Sequence, residues 1–243
     1  MLTPADTNPD FKSSRADIWI IEASELAGFD QFLCELLTPD EVVRYQRFAC
    51  RQIAATWLAA RASLRFLLAR YLSLPVKSFA VKTEENGKPY VENRYNLGFN
   101  LSHSGNIAVI ALADRPVGID VEQLTRKVDS DAVLQRFFSP LEQSSHAQYS
   151  QLDPAHTFFR GWTRKEAVLK ATGEGIAGLA HNEISFAPDL PRAMLSYQGS
   201  REVAQTWFFH EFSPAAGYIC AFACQSPPLR FRKIKLLKQM FVD

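Results

Sequence analysis

Two acidic residues spaced two apart open the chemical reading of this chain. In Val117-Gly118-Ile119-Asp120-Val121-Glu122, strand alternation puts Asp120 and Glu122 on one face and sends Ile119 and Val121 into a core. Paired carboxylates repel each other unless a cation lies between them. Hard oxygen ligands of this kind suit Mg²⁺ together with phosphate oxygens and water; an edge strand carrying two solvated acids would show the same pattern. Further on, Trp162-Thr163-Arg164-Lys165-Glu166-Ala167-Val168-Leu169-Lys170 reads as helix, with Glu166 and Lys170 sharing a face. That is either a surface ion pair or a third carboxylate beside a lysine for phosphate. Asn100-Leu101-Ser102-His103-Ser104-Gly105, at a strand end, is a polar turn or a place where hydroxyls, backbone and His103 meet a ligand. It is a poor nucleophilic Ser–His pair, because strand neighbours point apart and no G-x-S-x-G elbow exists. Arg44, Arg47, Arg51, Arg61, Arg65 and Arg70 crowd one helical region, and Lys88 sits in Gly87-Lys88-Pro89. Most of these arginines are expected to be solvated or ion-paired, leaving two or three suited to a phosphate. Cations, carboxylates and a base together suit phosphoryl-type transfer, where positioning and electrostatics carry the catalysis.

The frame for these residues is that of an ordinary soluble chain. Its 243 residues are enough for one large domain or two small ones. With 47% hydrophobic residues and 18 Phe, 7 Tyr and 4 Trp it can build a core, which argues against disorder. Twenty-seven basic against 26 acidic residues, net +1, do not suggest a nucleic-acid binder. No apolar run is long enough to span a membrane, and residues 1–17 lack the apolar stretch of a leader. Cys34, Cys50, Cys220 and Cys224 form no CxxC. They read as free thiols of a reducing cytoplasm, the last two in a buried strand.

Element signals recur in order. A strand is expected over 17–22. Thr38-Pro39-Asp40-Glu41 opens a helix that runs to about Leu72 with a break near 50–52. Strands follow over 78–82, 96–101 and 107–113, with an Asn86-Gly87 turn between the first two. The second half repeats this: a helix over 154–171, then strands over 183–187, 206–212 and 218–224. Trp57 and Trp162, Ser78-Phe79-Ala80 and Ser185-Phe186-Ala187, and the strands beginning at Ile107 and Tyr218 recur at near-constant spacing, which points to internal duplication. The fold class expected is α/β (α+β). Two similar halves, residues 1–115 and 116–226, each set a small, mostly antiparallel sheet on a long helix, and a basic tail occupies 227–243. Ligands favour the junction of such halves. The tail, Arg-Phe-Arg-Lys-Ile-Lys-Leu-Leu-Lys-Gln-Met over 230–240, is read as a solvated terminal helix in preference to a contact for a carrier or RNA.

Gly87-Lys88-Pro89, Phe99 through Gly105, Pro116 through Glu122, Arg136-Phe137-Phe138-Ser139 with Glu142, and Trp162-x-x-Lys165-Glu166-Ala167-x-x-Lys170-x-x-Gly173 stand in an order and spacing that resemble the 4′-phosphopantetheinyl transferases of the long, internally duplicated Sfp-type group. The resemblance runs from about Pro39 to Cys224. It implies two halves related by a pseudo-twofold axis, with the active site between them. It implies transfer of the phosphopantetheine arm of coenzyme A to a serine of an acyl or peptidyl carrier protein, releasing adenosine 3′,5′-bisphosphate. By position, Asp120, Glu122 and Glu166 would hold Mg²⁺, with Mn²⁺ as the alternative. Glu166 would be the general base, with Glu142 as its rival, and Lys170 would neutralise the pyrophosphate. Lys88, Ser102 and His103, aided by Arg44 and Arg47, would hold the nucleotide and its 3′-phosphate. Where many relatives carry a basic residue just before the position of Trp57, this chain has Ile53-Ala54-Ala55-Thr56, which implies either a weaker grip or one shifted to Arg51 or Arg61. Carriers are typically acidic, and the segment 128–151 is the expected docking region, with Phe137 and Phe138 either contacting the partner or filling the core. A cytoplasmic monomer acting on neither nucleic acid nor membrane is expected. The competing readings are another Mg²⁺-dependent nucleotide enzyme, a non-catalytic coenzyme A binder, and a scaffold.

Overall fold

The structure, a computed structural model, describes residues 14–93, 96–151, 153–228 and 230–241. Residues 1–13, most of the stretch read as lacking a leader, lie outside the described residues. In chain order the elements are β1 (Arg15–Glu22), α1 (Asp30–Glu35), α2 (Pro39–Gln46), α3 (Arg51–Leu72), β2 (Lys82–Thr83), β3 (Pro89–Tyr90), β4 (Gly98–Ser104), β5 (Ile107–Ala113) and β6 (Val117–Gln123). There follow α4 (Ser130–Phe137), α5 (Pro140–Tyr149), α6 (Pro154–Thr172), β7 (Asn182–Ile184), β8 (Met194–Tyr197), α7 (Arg201–Ala204), β9 (Trp207–Phe212), β10 (Tyr218–Gln225) and β11 (Arg230–Lys235). No described helix is long and apolar enough to cross a membrane.

The chain divides into two compact units. The first comprises Met1–Thr83, Pro89–Asp114 and Pro228–Asp243. Its sheet runs β11-β1-β5-β4, antiparallel except where β11 lies parallel to β1. The 22-residue α3 packs on this sheet, burying Leu58, Leu64, Leu67, Leu68 and Tyr71 against Trp19, Ile21, Phe99 and Ile110. Burial of this apolar face, rather than helix propensity, stabilises such an element. The helix stops where Ser73 turns left-handed (φ 54) and Leu74-Pro75 cannot continue it. The expected start of α2 is present as a capping box, Thr38 accepting from Glu41 N and Glu41 from Thr38 N.

The tail read as a solvated helix is instead mostly strand. Arg232 reaches both carboxylate oxygens of Asp17 (2.8 and 3.0 Å), which lies fully buried on β1 and also takes Arg15 and the Tyr71 hydroxyl. A charge buried on that scale needs such partners, and they tie β11 to the sheet.

The second unit comprises Glu84–Lys88 and Arg115–Pro227. Its antiparallel sheet runs β6-β10-β9, with α6 against β6 and β10, and a β7-β8 hairpin beside them. Phe158, Phe159, Val168, Phe186, Trp207 and Ile219 lie in its core. Cys220 and Cys224 are buried on β10 as expected, whereas Cys50 is exposed, and none of the four is in a disulfide.

Two expected strands are shorter than their β-rich sequence suggests. Of 78–82 only Lys82 is in a strand, and of 183–187 only the first two residues are. In each case a buried guanidinium takes carbonyls in or just beside the segment. Arg65 on α3 donates to Val76 O and Phe79 O (2.8 and 3.3 Å), and Arg164 on α6 to Ser185 O and Ala187 O (2.7 and 2.8 Å). A buried carbonyl needs only one donor, and which group supplies it is indifferent to local propensity.

Candidate active site

On β6 the side chains of Gly118, Asp120 and Glu122 share a face with their β10 partners Ala223, Ala221 and Ile219. This face is small and it faces α6. A Cβ on Gly118 would run into the Ala167 carbonyl oxygen and the Ala171 nitrogen, so only glycine lets helix and strand approach this closely. Asp120 and Glu122 therefore lie under α6 rather than toward solvent, 5% and 6% exposed. Ile119 and Val121, on the other face, are buried as well.

Glu166 and Lys170 are delivered by the side of α6 that faces these acids. Lys170 Nζ donates to Asp120 Oδ1 at 2.6 Å, and Arg126 to Glu122 Oε1 at 2.6 Å. Burial first, and then the negative charges of Asp120 and Glu122, push the Glu166 carboxyl above its ordinary value, with Lys170 opposing. Burial works against the Lys170 ammonium, but Asp120, with Glu166 and Glu122 behind it, outweighs this and raises its pKa. Four charged groups thus share one electrostatic neighbourhood. They do not form a closed ligand set: among the described residues no three His, Cys, Asp or Glu side chains are gathered tightly enough to hold a metal ion. The sequence-based expectation of three converged carboxylates is corrected to that extent. The donor chemistry nevertheless fits a hard divalent ion. Three carboxylates face one lysine, with Arg126 on the outer side of Glu122, and hard oxygen donors of this kind suit a divalent cation.

The first unit holds a separate cavity of about 320 Å³ whose walls include Glu41, Arg44, Trp57, Arg61 and His103. The Arg44 guanidinium lies over the Trp57 ring, 5.4 Å from its centroid. Glu41 fixes Arg61 (2.5 Å to Nε) while its other oxygen caps α2. The cavity thus presents an aromatic wall, the Arg44 guanidinium, the Arg61–Glu41 pair, an imidazole and the Asp40 carboxylate, so it offers both stacking and charge-assisted donors to an aromatic ligand.

Comparison with known proteins decides what this pair of features belongs to. The model of the 4′-phosphopantetheinyl transferase superfamily matches residues 116–223, and that of a 4′-phosphopantetheinyl transferase N-terminal domain matches residues 26–115. Over 224 residues the chain is 33% identical to the 4′-phosphopantetheinyl transferase HetI of Nostoc sp. (strain PCC 7120), an alignment covering 90% of this chain and 92% of that one. The chain belongs to the 4′-phosphopantetheinyl transferase superfamily. Shorter alignments relate it to 4′-phosphopantetheinyl transferase psf-1 of Bacillus pumilus, 38% identical over 133 residues (54% of this chain, 56% of the relative). They also relate it to 4′-phosphopantetheinyl transferase Sfp of Bacillus subtilis (strain 168), 28% identical over 141 residues (58% and 62%).

Several expected site residues of the transferase stand elsewhere. Glu142, the rival base, is wholly buried: its oxygens accept from Lys165 Nζ (2.7 and 2.8 Å), from Ile184 N (2.9 Å) and from Ser139 N (2.8 Å). Burial raises its pKa against these partners, and it has no path to a substrate proton. Its position corrects the sequence reading: it is the N3 acid of a capping box on α5, a signature that Ser139-Pro140-Leu141-Glu142 carries in the sequence. Ser102 is buried on the face of β4 opposite His103 and does not line the cavity. Neither do Arg47 and Arg51, both exposed, whereas Arg61 does. Lys88 Nζ donates to the Ala171 carbonyl at the end of α6. Phe138 is buried against Trp162 and Phe186, so of the two aromatics offered to a partner only Phe137 is part-exposed. Glu41 and Lys165 had drawn no functional reading from sequence. The helical spacing of Arg61 and Arg65 opposite an N3 acid was the available signal for Glu41.

Proposed function

We propose that the transferase moves the 4′-phosphopantetheine arm of coenzyme A onto a serine hydroxyl of an apo acyl or peptidyl carrier protein, in the presence of Mg²⁺ or Mn²⁺. The observation that carries the reading is the set of buried Asp120 and Glu122 facing Glu166 and Lys170 in a chain of this superfamily. The serine oxygen attacks the phosphorus that bears pantetheine. The bond to the other phosphate of the diphosphate breaks, and its electron pair leaves with adenosine 3′,5′-bisphosphate. The serine proton passes to Glu166, directly or through one water. Lys170, held cationic by its acidic neighbours, balances charge developing on the leaving phosphate. Asp120, Glu122 and Glu166 are the residues that would hold the divalent ion. When bound, it supplies positive charge to the diphosphate oxygens. Arg44 and His103, with the Trp57 ring, are the groups offered to the nucleotide and its phosphate, and the 128–151 segment, where Leu141 is 50% exposed, is offered to the carrier.

The test is direct. Incubation with coenzyme A, Mg²⁺ and a panel of apo carrier proteins should add the mass of one phosphopantetheine to at least one carrier. A fully unmodified panel, with coenzyme A bound but intact, would support the non-catalytic binding reading instead.

A further inference from the structure

We propose that Lys88 is a positioning residue for this transfer: it caps the last turn of α6 and thereby sets where Glu166 and Lys170 present their charges. The inference rests on the function proposed above. The last carbonyls of a helix lack intrahelical donors, and the helix dipole favours a cation beside them. Ala171 lies in that last turn, next to Lys170, and its carbonyl accepts from Lys88 Nζ.

The turn that delivers Lys88 is closely tied. Gly87 N donates to Glu84 O (2.9 Å), Glu84 N to Lys88 O (2.9 Å) and Lys88 N to Asn86 Oδ1 (3.0 Å). Gly87 takes φ +90, open to glycine and strained for other residues. Asn86 lies over Gly173, the left-handed residue that ends α6 (φ +78), where a Cβ would collide with the Asn86 amide. In the same stretch of helix, Gly118 brings β6 against the backbone of Ala167 and Ala171. The end of α6 is therefore held at Ala171 by both Lys88 and β6 and at Gly173 by Asn86, and Lys170, which reaches Asp120 at 2.6 Å, lies within this held stretch. A displacement of about 1 Å at such a site costs about 10²-fold in rate. A lysine serving as a direct phosphate ligand would instead govern the affinity for coenzyme A.

The two roles separate in Lys88→Met. With carrier modification followed by mass across a range of coenzyme A, kcat should fall about tenfold or more, while KM for coenzyme A moves less than about twofold. Lys88→Arg, which keeps a donor for the Ala171 carbonyl, should recover most of kcat. In hydrogen exchange, the amides of residues 168–173 should exchange faster in Lys88→Met, with 154–165 unchanged. Asn86→Ala, at an exposed position, should move the same quantities less and guards against a misfolded first variant. A tenfold rise in KM with kcat retained, or unchanged exchange at 168–173, overturns the assignment. A wild-type protein that modifies no carrier would sink the function reading, and the exchange comparison would still decide whether Lys88 holds the turn.

Discussion

Asp120 and Glu166 carry the heaviest chemical assignment, and both admit substitution without loss of the fold. Asp120→Ala leaves Lys170 without its 2.6 Å partner, but that side chain is 28% exposed and can turn its ammonium to water. Glu166→Gln keeps the volume. Each should lower kcat by two or more orders of magnitude with an unaltered circular-dichroism spectrum and melting point; near-normal turnover in either would remove it from the centre. For the cavity residues, Arg44→Ala should raise KM for coenzyme A about tenfold, the loss of one charge-assisted contact, while Arg47→Ala should change it far less, since Arg47 does not line the cavity. Equal effects would show that the cavity is not the nucleotide site. At this scale the sequence was legible wherever periodicity decides: a period of two paired Asp120 with Glu122, and an i, i+4 spacing paired Glu166 with Lys170. It was opaque where burial decides. The capping-box spacing gives the Ser139 contact of Glu142, but nothing in the sequence shows that Lys165 and Ile184 also consume its oxygens.

The two long helices, α3 and α6, were readable from their apolar faces and stop signals, although the start of α3, where Cys50 makes no side-chain cap, showed only as a break near 50–52. The short strands after them were not, because Arg65 and Arg164 take carbonyls in or just beside those segments and local propensity carries no trace of a distant guanidinium. Arg164→Met should therefore cost about 2–3 kcal/mol of unfolding free energy, read from denaturant midpoints; a change below about 0.5 kcal/mol would mean those carbonyls find other donors. The segment after α6 offers a second check. Tyr197 donates to Glu174 Oε1 (2.9 Å), and Asn182 and Gln198 hold the same carboxylate. Burial, the Glu174 hydrogen bond and its charge raise the Tyr197 pKa from 10.0 to about 12. Because the folded state holds this proton more tightly, the contribution of Tyr197 to stability is full below pH 10 and is lost as pH rises toward about 12. Tyr197→Phe should flatten the decline in stability over that window in urea titrations, and an identical decline in the variant would assign it to other groups.

At the scale of the whole chain, the recurrence of tryptophan, Ser-Phe-Ala and apolar-strand landmarks pointed to two halves of similar make-up. Each unit does set an antiparallel-rich sheet against one long helix. The C-terminal segment was misread because its partner is remote: Arg232 meets Asp17 across 215 positions, a separation at which no local pattern reports pairing. The balance of 27 basic and 26 acidic residues hides how unevenly charge is placed, with buried acids concentrated beneath α6. The central claim is that these acids serve one divalent ion. Mn²⁺ titration followed by the electron paramagnetic resonance of the free ion, with coenzyme A present, measures it without relying on turnover. One ion per chain should bind in the wild type, and none at the same concentrations in Asp120→Ala or Glu166→Gln. Equal binding by wild type and variants, or none by the wild type, would contradict the claim.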